Sequence, residues 1–301
     1  MLSPQRAAIA PPNAPATPPR RVAALRGARR IWAIGAVHAE AVHLARLHAR
    51  LETRVWQGDR VVYLGNVIGL GPDVAATVRE LLLFRRAVLA RPGFEPEDVV
   101  VLRGAQEQML TRTLELQFAE GPAAAEQALA WMGQHGLAPT LAAYGTSVAE
   151  GLRIARQGPM AIGRWTASIR ARIRDLPGHD PLLAGLSRAA ITVPLDLAGE
   201  APGMLMVASG LDPLRPFAEQ GDAFWWRPDG FASVANGMPG PTGEIAGWAG
   251  FARIVRGLDP SGGGLAQTDY TVTLDAGCGR GGGLAAGLFA PDGALLELIE
   301  V

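Results

Sequence analysis

The amino-acid sequence predicts an α/β fold in which two β-sheets pack together with helices outside. Three apolar runs, rich in β-branched residues, each end near a glycine and open into a helical pattern. They are IWAIGAVHA from Ile31 to Ala39, VVYLGNVIGLGPD from Val61 to Asp73, and VVVLRGAQEQML from Val99 to Leu110. Helical periodicity dominates the first half of the chain, and short strand-like runs between glycines and prolines dominate the second. Strand and helix in alternation favour largely parallel pairing, with catalytic groups at strand carboxyl ends beside helix N-termini.

Taken in order, Arg30 to Gly35 reads as a first strand. Glu40 to Thr53 reads as a helix, with Val42, Leu44, Ala45, Leu47 and Leu51 in its apolar pattern. Asp59 to Leu64 is a second strand. Val74 to Ala90 is a helix that opens after a Gly-Pro-Asp turn and closes before Pro92. Asp98 to Leu102 is a third strand, followed by helix from Glu107 to Phe118. The stretch at about 121–176 is Ala-rich and helical, broken near Gly136 and Pro139, and Leu176 to Gly203 is mixed. From Met204 onward MLMVASG, ARIVRG and YTVTLDAG read as strands. GLAAGLFA and ALLELIEV close the chain as a hairpin around Pro291-Asp292-Gly293. The expected organisation is a Pro/Arg-rich disordered tail over residues 1–29 and one domain over 30–301, with a helical insertion at about 121–176. An Arg-rich docking arm is the alternative reading of the tail.

The 301 residues carry 28 basic and 28 acidic side chains, so the formal charge is zero. That balance points to neither nucleic acid nor an acidic membrane as partner. All the basic residues are Arg, which fits a GC-rich coding bias together with the Ala, Gly and Pro content. Cys278 is the single cysteine, which excludes an intrachain disulfide and suits a cytoplasmic setting. No apolar stretch approaches the roughly 20 residues that span a bilayer.

Five segments in order resemble the calcineurin-like metallophosphoesterases, and within them the bacterial serine/threonine phosphoprotein phosphatase branch. The resemblance runs from about Ile31 to the C-terminus and implies an αββα sandwich of two mixed sheets flanked by helices. The family's GDxHG block aligns with Gly35-Ala36-Val37-His38-Ala39. Its GDxxDRGPD block aligns with Gly65-Asn66-Val67-Ile68-Gly69-Leu70-Gly71-Pro72-Asp73. Its GNHE block aligns with Gly104-Ala105-Gln106-Glu107. The strand ending in HAG aligns with Val207-Ala208-Ser209-Gly210, and GHT aligns with the segment around Gly257-Leu258. A closing LDTG-like strand is present as Leu274-Asp275-Ala276-Gly277.

The resemblance implies two divalent metals (Mn, Fe or Zn), held by residues at positions 36, 38, 66, 105, 208 and 258. Here those are Ala36, His38, Asn66, Ala105, Ala208 and Leu258. It also implies a further Asp at Gly69, a phosphate-contacting Arg at Leu70 and a leaving-group acid at Gln106. A two-metal centre needs a bridging carboxylate and several terminal ligands. Only His38 is a strong donor, and Asn66 offers a neutral carbonyl. The expectation is therefore a pseudophosphatase without catalytic residues or cofactor, which binds a protein or a phosphorylated ligand. A remodelled, one-metal phosphoesterase using His38 with Asp212, Asp259 or Asp275 is the alternative. A regulatory subunit that pairs with an active homologue is the second. Arg256 is a candidate anion ligand, weighed against a surface ion pair. Glu107 is expected to favour a helix N-terminus, and Asn66 to stabilise a strand-to-helix turn.

Overall fold

The computed structural model describes residues 22–193, 203–239 and 244–301. The first sheet contains, in spatial order, β13 (Leu295–Glu300), β12 (Ala285–Phe289), β2 (Arg30–Ile34), β3 (Asp59–Tyr63) and β4 (Val99–Val101). β2, β3 and β4 are parallel, with Trp32 opposite Val61 and Val61 opposite Val99. β12 runs antiparallel to both β2 and β13.

The second sheet runs β1 (Val22–Arg26), β5 (Ala189–Val193), β6 (Met204–Val207), β9 (Arg253–Arg256), β11 (Thr271–Thr273) and β10 (Ala266–Gln267). β6, β9 and β11 are parallel, while β5 and β10 pair antiparallel with their neighbours β6 and β11. β7 (Met238–Pro239) and β8 (Ile245–Ala246) form a separate small ribbon.

The two sheets face each other across one core. Ile31, Ala33, Val62 and Leu64 from the first sheet meet Met204, Met206, Val255 and Val272 from the second. Alternation puts Trp32, Ile34, Val61 and Tyr63 on the opposite face. There they pack against Leu44, Leu47 and Leu51 of α1 (Ala41–Leu51) and Leu81 and Phe84 of α2 (Val74–Leu89). The outer face of the second sheet is covered by α9 (Ala223–Trp226) and α10 (Pro228–Ser233), through Phe224, Trp225 and Phe231. This is the helix–sheet–sheet–helix sandwich of two mixed sheets that the sequence leads one to expect.

α3 (Ala105–Leu114) follows β4 and packs into a helical body. That body comprises α4 (Pro122–Met132), α5 (Ala138–Ala143), α6 (Val148–Ala155) and α7 (Pro159–Asp175), with α8 (His179–Ala184) leading back to the sheet. A tight Gly133–Leu137 turn joins α4 to α5, and Gly136 there has φ +102°. Among the described residues no helix is long and apolar enough to cross a membrane.

Two elements differ from the sequence expectation. Val22–Arg26 falls within the stretch assigned to a tail, yet it pairs along its length with β5 as an edge strand. Residues 1–21 of that stretch lie outside the described residues. The mixed region after Leu176 contains β5 itself. An edge strand is specified by pairing to a segment far away in sequence, which local periodicity does not register.

Candidate functional site

The carboxyl ends of β2, β3 and β4 meet those of β6, β9 and β11 at one end of the sandwich. The seam is close. Ala36 N–H donates to the Gly257 carbonyl at 3.0 Å, and Gly257 N–H and Leu258 N–H both donate to the Ala208 carbonyl. A Cβ on Gly35 would strike the Leu274 carbonyl, and one on Gly257 would lie 2.6 Å from Leu64 Cβ. These glycines are fixed by the close approach of two backbones.

His38 N–H donates to the Asn66 carbonyl at 2.8 Å, and Gln106 N–H donates to Asn66 Oδ1 at 3.1 Å. Ala105 and Ala208 belong to one apolar cluster. Gly69 has φ +83°, and a Cβ there would collide with the Gln106 side chain. The positions singled out in the sequence, 36, 38, 66, 69, 70, 105, 106, 208 and 258, thus gather at one end of the fold.

His38, Ala39, Asn66 and Leu70 all have left-handed φ, between 50° and 60°. They are four of the five such non-glycine residues among the described residues, and each costs on the order of 1–3 kcal/mol.

Glu107 holds these loops together. Its carboxylate, 2% exposed, accepts from Asn66 N–H (2.9 Å) and Gly104 N–H (2.8 Å) on Oε2. On Oε1 it accepts from Val67 N–H (2.7 Å) and Ile68 N–H (3.2 Å). Burial pushes its pKa up while the backbone N–H groups pull it down. All four partners are donors, so a proton on the carboxyl would meet no acceptor there, and the carboxylate is the form the loops select. The sequence signal for the Gly104 bond is a Glu three residues after the N-cap, the capping-box position. The three bonds to the 66–68 loop have no local signal.

Gln106 faces the Gly133–Leu137 turn of the helical body. Its Nε2 donates to the His135 carbonyl at 2.8 Å, and Leu70 N–H donates to the Gly136 carbonyl at 3.0 Å. The Gly133–Leu137 turn therefore sits against the two residues that replace the implied acid and Arg. His135 stacks on Trp131 at 4.1 Å, and Trp131 meets Trp226 edge-on at 5.6 Å.

The Arg256 side chain lies on the outer face of the second sheet. Its guanidinium stacks over Phe231 at 4.2 Å and bonds Thr273 Oγ1, the Ser209 carbonyl and Asp259 Oδ2 at 3.0 Å. The residue is 7% exposed, so its ion pair is buried and not the surface pair weighed from sequence. Burial lowers its pKa, with Asp259 and Asp275 opposing.

The Asp275 carboxylate accepts from Asp259 N–H and Gly277 N–H and pairs with Arg280. Asp212 pairs with Arg215 and Arg227. An open concavity of about 680 Å³ lies between the 260–265 and 275–282 loops, with Arg280 and Asp275 in its lining. Burial, then the charge on Arg280, brings the pKa of His38 down to about 4 against the pull of Asp275. The imidazole is accordingly neutral at pH 7.

The donors present do not fit a pair of divalent cations. The Asn66 oxygen already accepts a backbone N–H, and Ala36, Ala105, Ala208 and Leu258 bring no donor atom. Among the described residues no three His, Cys, Asp or Glu side chains group so as to hold a metal ion.

No protein-family model matches the chain, and no curated protein matches it. It is similar to a solved structure described as a "putative diadenosine tetraphosphatase", at 14% identity and TM-score 0.48, covering 93% of this chain and 98% of that one. It is also similar to a protein serine/threonine phosphatase from Saccharomyces cerevisiae, itself described as similar to human phosphatase PP5. There the identity is 13% and the TM-score 0.43, covering 88% of this chain and 76% of that one. The two-sheet, helix-flanked architecture rests on the strand order and register described above.

Proposed function

We propose that this chain is a metallophosphoesterase-like protein that does not hydrolyse phosphoesters, and that acts by binding a protein or a phosphorylated ligand. One observation supports this reading above the rest. Of the six positions that the sequence resemblance makes metal ligands, Ala36, Ala105, Ala208 and Leu258 carry no donor and the Asn66 oxygen is committed to a backbone N–H, which leaves the His38 ring as the one open ligand among them. Asn66 and Glu107 spend their oxygens on N–H groups of the same loops. Each positioned electrostatic group removed from a hydrolytic site costs about 10²–10³ in rate. Loss of the bridging charge, the implied Arg and the implied acid together removes the means of making and using a metal-bound nucleophile.

The test is elemental analysis of the purified protein for Mn, Fe, Zn and Mg, with assays on an aryl phosphate and a phosphopeptide in added Mn²⁺. The expected result is substoichiometric metal and no turnover above buffer. Stoichiometric metal, with turnover that His38→Ala abolishes, would overturn the proposal in favour of the one-metal phosphoesterase.

A further inference from the structure

Buried polar atoms without a protein partner concentrate at the strand ends just described. His38 Nδ1 and Nε2, Asn66 Nδ2 and Gln106 Oε1 are all buried and bond to no protein atom among the described residues. The three residues are 1%, 0% and 6% exposed. The residues are neighbours through their main chains: His38 N–H bonds the Asn66 carbonyl, and Gln106 N–H bonds Asn66 Oδ1. Buried polar groups in folded proteins are nearly always satisfied, by protein or by ordered water. Leaving one bare costs about 1–3 kcal/mol.

The orientation of both amides is fixed. Asn66 Oδ1 accepts the Gln106 N–H, which leaves Asn66 Nδ2 as the free end. Gln106 Nε2 donates to the His135 carbonyl, which turns Oε1 back over Gly69. The His38 ring adds two nitrogens, at least one of which carries a proton. The cluster thus presents the Asn66 Nδ2 and His38 N–H groups beside the acceptor Gln106 Oε1. A cation would meet the Asn66 amide hydrogens, and an anion would meet Gln106 Oε1. Water both donates and accepts and makes about three such bonds when buried, so one or two waters serve the group.

We propose that His38, Asn66 and Gln106 form a buried water-binding site, sealed by the Gly133–Leu137 turn. The seal consists of the Gln106–His135 and Leu70–Gly136 bonds, with the Gly136 backbone packed onto both side chains. A Cβ at Gly136 would lie 2.7 Å from Leu70 Cδ2 and 2.9 Å from Gln106 Nε2. This goes beyond the function proposed above and is read by water, not by turnover, so either can fail alone. Bound water here takes over the bonding that a charged centre would otherwise supply. It also keeps the strained 38–39 and 66–70 loops in place.

Nuclear magnetic resonance on the labelled wild-type chain tests this directly. Cross-relaxation with water should give the sign of slowly tumbling, long-lived contacts at the Asn66 side-chain amide and the His38 ring. Rapid-exchange sign, or no cross-peak at either group, would overturn the site. Water-deuteron relaxation dispersion supplies a second reading. Folded His38→Leu, which leaves both seal bonds untouched, should lose at least one long-lived water relative to wild type. An equal dispersion amplitude in the two would refute the proposal. Should His38→Leu not fold, the wild-type cross-relaxation decides alone. Orthophosphate and the diamagnetic cation Mg²⁺ titrated into wild type should leave the dispersion unchanged. A saturable loss with either would mark an ion site and overturn the assignment to water.

Discussion

Replacing Glu107 with Gln changes one atom type at the point where four backbone donors converge. In the native chain, Oε2 serves the Asn66 and Gly104 N–H groups and Oε1 serves those of Val67 and Ile68. Glutamine keeps one carbonyl oxygen, which can serve one of these pairs. The other pair then faces an NH₂ group that is itself a donor. Two buried N–H groups left without an acceptor cost about 1–3 kcal/mol each, so Glu107→Gln should lower stability by about 2–6 kcal/mol. For a chain of this size that corresponds to a fall in Tm of roughly 3–10 °C. Urea unfolding at pH 7, followed by far-ultraviolet circular dichroism and tryptophan fluorescence, measures the loss. Glu107→Asp should lose a similar amount, because the shorter side chain cannot span from Gly104 to the 66–68 loop. A Glu107→Gln midpoint equal to wild type would refute the reasoning. It would mean that the carboxyl is protonated in the folded state or that water already serves these donors.

Two further predictions concern buried charge. His48 is held neutral between the Tyr63 hydroxyl, which donates to Nε2 at 2.7 Å, and Glu80, which accepts from Nδ1 at 2.7 Å, and burial lowers its pKa to about 4. The unfolded chain takes up this proton near pH 6.5 and the folded chain does not until about pH 4. Stability is therefore full above 6.5 and falls through that window, by on the order of 3 kcal/mol from this residue. His48→Gln should flatten the pH dependence of urea midpoints between pH 4 and 6.5, and an unchanged slope would count against it. Arg256→Met should destabilise by about 3–5 kcal/mol, since it strips the guanidinium from the buried Asp259 carboxylate. Pairing it with Asp259→Asn should recover part of that loss in a double-mutant cycle, and strict additivity would show that the pair is not coupled.

Local patterns made much of the framework legible. The runs Ile31–Ile34, Val61–Tyr63 and Val99–Val101 read as strands because they are short, apolar and end at glycines that no other residue could replace. The helices Ala41–Leu51 and Val74–Leu89 read from their apolar spacing. The same residues read as a depleted metal site, since ligand chemistry depends on side-chain type and Ala36, Ala105, Ala208 and Leu258 have none to offer. β1 did not read as a strand, because its partner β5 lies more than 160 residues away in sequence.

The sequence by itself determined which backbone turns were built and which donors they lack. Only the tertiary structure decided what the remaining polar groups do. Arg256 could have faced the cleft or the outer layer, and its position beside Phe231 follows from the strand's alternation relative to a core it cannot see locally. Glu107 reads as a helix-start residue until the 66–68 loop closes over it. Gln106 reads as a lost acid until the Gly133–Leu137 turn presents the His135 carbonyl to it. Each of these roles is a hydrogen bond between segments distant in the chain. Their energies come from excluding water at a site that exists only once both sheets have packed.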